Sequence, residues 1–302
     1  MKNSIKHSLI ATVALLLLAG CDVKDPIYDT PHPEKGAVTL TTDWSKLGEG
    51  LTAPESYTVV AAGYTGTLSG NVNKLDYLFD PSEIRVSVYN MAEHITVSSS
   101  TATVATASGN ADGVGPFIQN TPGWLFASTG EMMIEKDKEH FHTAVMQQQV
   151  RQLTLIVEPT GETTERIKSI TGTLSGIASS LNFADGTHAA PANVAMTFSK
   201  ITSGTDAGKW SATVRLLGTA GAEQRLAATI AFTGGNPTSI QLDSDLTTAL
   251  ATFNADKRKP LTLGGSVVET PTGAEFTATI IDWIPGNGAG GEDGSAGMET
   301  NN

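Results

Sequence analysis

Apolar side chains recur at every second position along short runs of this chain, and that periodicity restricts it to half-buried strands. Residues 83–90 form the cleanest run: Ile84, Val86 and Val88 share one face, while Arg85, Ser87 and Tyr89 share the other. Val38, Leu40 and Trp44 alternate in the same way, as do Trp210, Ala212, Val214 and Leu216, which assigns both tryptophans to a core. The chain is rich in Thr, Val, Gly and Ala and has few apolar periods at helical spacing, so the expected class is all-β. One stretch departs from it. Leu246, Ala249, Leu250 and Phe253 fall at helical spacing behind Asp243 and Ser244, either of which can cap, and predict a single short helix.

The N-terminus follows different rules. Lys2 and Lys6 precede an apolar run over residues 9–17, and Leu18-Ala19-Gly20-Cys21 follows. Charge, apolar run and small residues in that order make an export signal. The run is shorter than the roughly 20 residues of a spanning helix. Leu18-Ala19-Gly20-Cys21 resembles the lipobox of bacterial lipoproteins at all four positions. The resemblance implies cleavage between Gly20 and Cys21, and acylation of both the Cys21 thiol and the new N-terminus. Several acyl chains anchor stably, because each buried methylene contributes about 0.8 kcal/mol. Cys21 is the only cysteine, so no intrachain disulfide forms in the oxidising compartment to which the signal points. Loss of residues 1–20 removes two lysines and no acid, taking the net charge from −12 to −14. That sign argues against nucleic acid and against a polybasic membrane patch, so lipid must supply the attachment.

The 302-residue length suits two domains after the signal. Residues 21–36, with Pro26, Pro31 and Pro33 among acids, read as an extended lipidated tether. Residues 37–147 and 148–285 read as two β-sandwiches, and 286–302, rich in Gly, Asn and acid, as a disordered tail. The run from 141 to 157 exceeds one ordinary strand, and Gln147-Gln148-Gln149 is where it should break. Residues 108–123, with four glycines and two prolines, form a long loop ending at Trp124-Leu125-Phe126. Thr65-Gly66-Thr67-Leu68-Ser69-Gly70 recurs as Thr171-Gly172-Thr173-Leu174-Ser175-Gly176, which suggests duplication.

Cys21-Asp22, Asp25-Pro26-Ile27-Tyr28, His32-Pro33, Gly36 and residues 38–44 resemble the start of the FimB-like fimbrial anchor lipoproteins of the Bacteroidales, relatives of the fimbrillins. Met146-Gln147-Gln148-Gln149-Val150-Arg151-Gln152-Leu153 is similar to the stretch where that family enters its second domain. The resemblance implies two transthyretin-like β-sandwich domains in tandem, lipid attachment at the cell outer membrane, and fimbrial shaft or accessory subunits as partners. It also implies assembly by strand exchange, in which an added strand satisfies a row of backbone groups while its side chains fill alternate pockets. No arginine after the first strand marks a maturation cleavage site, and the Gly-rich tail is a poor donor strand. Both features suit an anchor or terminal component better than a shaft subunit.

Catalysis has little support. The chain has no Gly-x-Ser-x-Gly and no phosphate loop, and Cys21 is committed to lipid. No cofactor is expected. His140 and His142 share a strand face and are read as solvent-facing rather than as half of a metal site. Asp243-Ser244-Asp245 lacks the spaced ligands of a calcium loop and is read as a cap. The rival to a fimbrial role is a surface glycan-binding lipoprotein, with Trp124 and Phe126 as its aromatic platform. Trp283 lies on the strand face opposite Phe276, Ala278 and Ile280, and its surroundings are not legible from the pattern.

Overall fold

The computed structural model describes residues 34–109, 115–160, 164–272, 275–280 and 283–285. The first unit begins with β1 (Gly36–Asp43), whose Val38 and Leu40 face inward. β2 (Ser56–Ala61) and β3 (Tyr64–Ser69) form a hairpin whose two turn residues, Ala62 and Gly63, both have positive φ. That geometry matches the right-handed twist of the strands and makes glycine at position 63 the natural choice. β4 (Val72–Phe79) and β5 (Glu83–Tyr89) follow, the latter burying Ile84, Val86 and Val88 as its alternation requires. The chain then makes β6 (Ile95–Ser98), β7 (Thr101–Val104), β8 (Thr106–Ala107) and β9 (Phe117–Ile118) before returning as β10 (Phe126–Met133), β11 (Glu139–Val145) and β12 (Gln147–Gln148). Two sheets result, ordered β11-β1-β4 and β12-β10-β5-β2-β3.

The second unit repeats this plan. Its strands are β13 (Arg151–Pro159), β14 (Ile167–Asn182), β15 (Thr187–Lys200), β16 (Trp210–Leu216), β17 (Arg225–Phe232), β18 (Ser239–Asp245) and β19 (Leu261–Thr272), followed by β20 (Glu275–Ile280) and β21 (Ile284–Pro285). β1 pairs parallel with β11 and antiparallel with β4; β13 pairs parallel with β19 and antiparallel with β16. β2 lies between β3 and β5, with β10 beyond; β14 lies between β15 and β17, with β18 beyond. Seven strands in each half therefore share one pairing scheme. The halves differ at their sides: in the second, β15 also reaches β16, and β20 joins β19 to β18.

The repeated hexapeptide is not the trace of this duplication. Its first copy lies in β3, third in its unit, and its second in β14, second in its unit. Structurally equivalent positions thus carry different sequences.

Two apolar clusters fill the halves. One gathers Val38, Leu40, Val59, Val86, Phe126 and Met146; the other gathers Leu153, Leu174, Trp210, Leu226, Leu250 and Phe253 among many more. Ala102, Val104 and Ile118 belong to the second cluster, since β7 pairs with β14 and β9 with β15. β7 and β9 therefore serve the second core. Trp210 is buried, and Trp44, half-buried, packs edge-on against Phe126 at 6.0 Å.

The expected helix over residues 246–253 is absent: the segment is a chain of turns. Leu250 N bonds to Leu246 O at 2.9 Å, but Phe253 N turns back only as far as Leu250 O, also at 2.9 Å. Its cap is neither Asp243 nor Ser244, which stay in β18; Asp245 Oδ1 accepts from Thr247 N at 2.8 Å. The spacing still reports burial, because Leu246, Leu250 and Phe253 all enter the core. A mixed series of turns delivers the same residues inward without a continuous i to i−4 ladder.

Candidate functional site

Gly20 and Cys21, with the tether up to residue 33 and the tail from 286, lie outside the described residues. The proposed aromatic platform does not form. Phe126 is buried in the first core, and Trp124 wedges between the two clusters with the Arg215 guanidinium 5.5 Å above its ring. Buried Asn90 holds this corner, accepting from Phe126 N at 2.6 Å and donating to Trp124 O at 2.9 Å. A sugar platform needs open ring faces, and buried Phe126 offers none while Arg215 lies over the Trp124 ring.

The other singled-out residues are engaged by their own protein. His140 Nε2 accepts from Glu135 N at 3.0 Å, and His142 lies against Gly130, where a Cβ would come within 2.5 Å of the ring. Asp243 pairs with Arg225 at 2.6 Å. Ser244 is buried and accepts from Trp283 Nε1 at 2.9 Å, so Trp283 closes the edge of the second core.

The segment 146–151 joins the halves: Met146 ends in the first cluster and Val150 begins the second. Gln148 accepts from Gly48 N at 3.0 Å and donates to Val150 O at 2.8 Å and to Lys257 O at 2.5 Å. Arg151 donates to Lys259 O at 2.7 Å and Phe253 O at 2.8 Å, its guanidinium 5.1 Å above the Phe253 ring. Lys257 Nζ donates to Gln149 O at 3.0 Å, Leu217 O at 2.8 Å and His188 Nε2 at 2.9 Å. Gln148, Gln149, His188 and Lys257 line a cleft of about 550 Å³, with Lys46 on the side of the first unit. Gln148 and Lys257 spend their donors chiefly on the protein's own carbonyls, which makes this part of the cleft a structural seam. Burial lowers the Lys257 ammonium to about 7. Burial first, then the Lys257 charge, lowers His188 to about 4.

An open strand edge offers the chemistry that this seam lacks. β11 pairs with β1 on one side, and among the described residues no strand pairs with its other side. Phe141, on the outer face, is 76% exposed. Register places Thr39 between Phe141 and Lys74, and Thr41 between Thr143 and Val72, so exposed Val72 and Phe141 share that outer face. Sequence reading missed this surface. In residues 139–145 either alternating face could be inward, and the phenylalanine face is the more apolar one; packing of His142 over Gly130 and burial of Ala144 decide the opposite way.

No family model matches the chain, and no curated protein matches it in sequence. Solved structures do match in fold. Two proposed adhesins from Bacteroides ovatus align at TM-scores of 0.55 and 0.58, with 17% and 11% identity, over 86% and 84% of this chain and 96% of each of theirs. The fimbrial anchor protein Mfa2 from Porphyromonas gingivalis aligns at a TM-score of 0.56 and 14% identity, over 83% of this chain and 97% of its own. The chain therefore shares, over most of its length, the all-β fold of a fimbrial anchor protein and of two proposed adhesins.

Proposed function

We propose that this chain is a lipid-anchored subunit of a cell-surface fimbrium, an anchor or accessory component that holds neighbouring subunits by strand-exchange contacts. Cys21 carries the lipid, the outer membrane receives it, and residues 37–147 and 148–285 are the two domains it displays. The protein acts by holding, not by catalysis. The observation that carries the reading is the fold likeness to Mfa2 across both halves of each chain, which meets a complete lipobox-like Leu18-Ala19-Gly20-Cys21 at the N-terminus.

The test is co-purification from gently solubilised outer membranes of the native cell, comparing wild type with Cys21→Ala. A ladder of fimbrial subunits retained by wild type, and released into the medium with the variant, is the expected result. Recovery of a sugar transporter with glycan bound, and no fimbrial subunit, would overturn it.

A further inference from the structure

The two halves, compared with each other, assign the edge. We propose that the outer edge of β11 takes an extended strand from a neighbouring surface subunit, antiparallel to β11, along the edge whose counterpart in β19 carries β21 and, beyond it, β20. This deepens the fimbrial reading and rests on it.

Internal correspondence is the first argument. In each half the opening strand pairs parallel with the seventh, β1 with β11 and β13 with β19. On its other edge β19 carries β21 at Leu263 and Gly264, within the stretch paired with β13, and β20 from Val267, where that stretch ends, to Thr272, both antiparallel. The same edge of β11 carries no strand among the described residues, although its pairing scheme is otherwise the same.

Backbone geometry is the second. Ala37 N bonds to Lys138 O at 3.0 Å and Met146 N to Asp43 O at 2.8 Å, which sets the phase of the parallel ladder from end to end. In that phase His140, His142 and Ala144 direct their peptide groups to β1. Glu139, Phe141, Thr143 and Val145 direct theirs outward, a row of donors and acceptors ready for a strand.

The β11 edge also differs from the β4 edge of the same sheet. Exposed edges are ordinarily blunted by lysine, proline or a bulge. β4, on the opposite side of the same sheet, has an irregularity in its register with β1 between Ala37 and Thr39 and carries exposed Lys74 and Asp76. Residues 139–145 contain no lysine and no proline, and their register with β1 runs unbroken. The occupant follows from the surface: an alternating strand of about six residues, as long as the β20 segment paired with β19, setting an apolar side chain beside Phe141. The run Phe276-Thr277-Ala278-Thr279-Ile280 in β20 shows the kind of sequence.

The experiment compares full-length lipidated wild type with Thr143→Pro, Phe141→Asp and Thr67→Pro. Each is purified from native outer membranes and assayed for retained subunits and for amide exchange over residues 139–145. Thr143→Pro deletes one outward N–H and leaves the β1 ladder intact; Phe141→Asp changes only an exposed side chain; Thr67→Pro blocks the β3 edge instead. Expected are at least tenfold slower exchange at Phe141 and Thr143 in the assembled sample, and tenfold lower subunit retention in the two β11 variants. Thr67→Pro should retain subunits as wild type does. Undiminished retention in Phe141→Asp and Thr143→Pro, or loss in Thr67→Pro alone, would overturn the edge assignment and leave the anchor reading standing. Failure of wild type itself to retain any subunit would overturn both.

Discussion

Among the described residues, Lys257 is held without a carboxylate. Its three acceptors, two carbonyls and the His188 ring, come from positions 40 to 108 residues away in the chain. Both side chains are shifted away from the charged form, His188 to about 4 and Lys257 to about 7. A histidine titrating at about 4 when folded and near 6.5 when unfolded leaves the unfolded chain binding more protons between those values. Stability should therefore rise with pH from 4 to 6.5, by at most roughly 3 kcal/mol, and His188→Gln should flatten the rise in urea titrations. Lys257 carries the same sign at higher pH, so stability should continue to rise above 7. Lys257→Met should cost about 1–3 kcal/mol through the carbonyls it leaves unpaired. It should also move the His188 titration upward, read by NMR, because a neighbouring positive charge is gone.

Among elements, the β2–β3 hairpin is set by local chemistry. Gly63 has φ +87°, a region in which a β-branched residue is strained, and a Cβ there would meet the Tyr77 hydroxyl at 3.3 Å. Gly63→Val should destabilise the chain by about 1–3 kcal/mol, with amide exchange accelerating first in β2 and β3. Residues 246–255 show the opposite case. Their apolar spacing satisfies a helix, yet Lys257 O is held by Gln148 and Thr252 O and Phe253 O by Arg151. Those carbonyls lie at or beyond the end of a helix over 246–253, and before them the backbone closes into separate turns, with Ala251 N on Thr248 O and Phe253 N on Leu250 O. β11 is similar in kind: alternation identified a strand, while the choice of inward face fell to packing against Gly130 in the other sheet.

At the scale of the whole molecule, the two cores do not divide where the sequence-based boundary does. Ala102, Val104, Ile118 and Leu125 lie in the second core although they precede β10. A chain ending at Gln147 should therefore expose them and bind a hydrophobic dye. A chain covering 148–285 should lose the strands that pair with β14 and β15, and melt well below the full-length protein. Stable, monomeric folding of either half alone would show that the shared strands contribute little. Trp124, in contact with both clusters, should couple them: Trp124→Ala should cost about 2 kcal/mol or more and separate one thermal transition into two.

The sequence alone determined the alternating strands around 38–43, 83–89 and 210–216, the all-β class, the core positions of Val38, Leu40, Ile84, Val86, Val88 and Trp210, and the break near Gln147. Each rests on local periodicity or local turn chemistry, which a single strand expresses by itself. The duplicated pairing scheme, the docking of β7 and β9 on the second core, the burial of Phe126, the Lys257 seam and the open edge of β11 were decided only in three dimensions. Strand pairing is non-local and follows backbone hydrogen bonds that any residue but proline can make. Two halves can therefore share one scheme with no matching sequence, and an edge is known only once every neighbour has been placed.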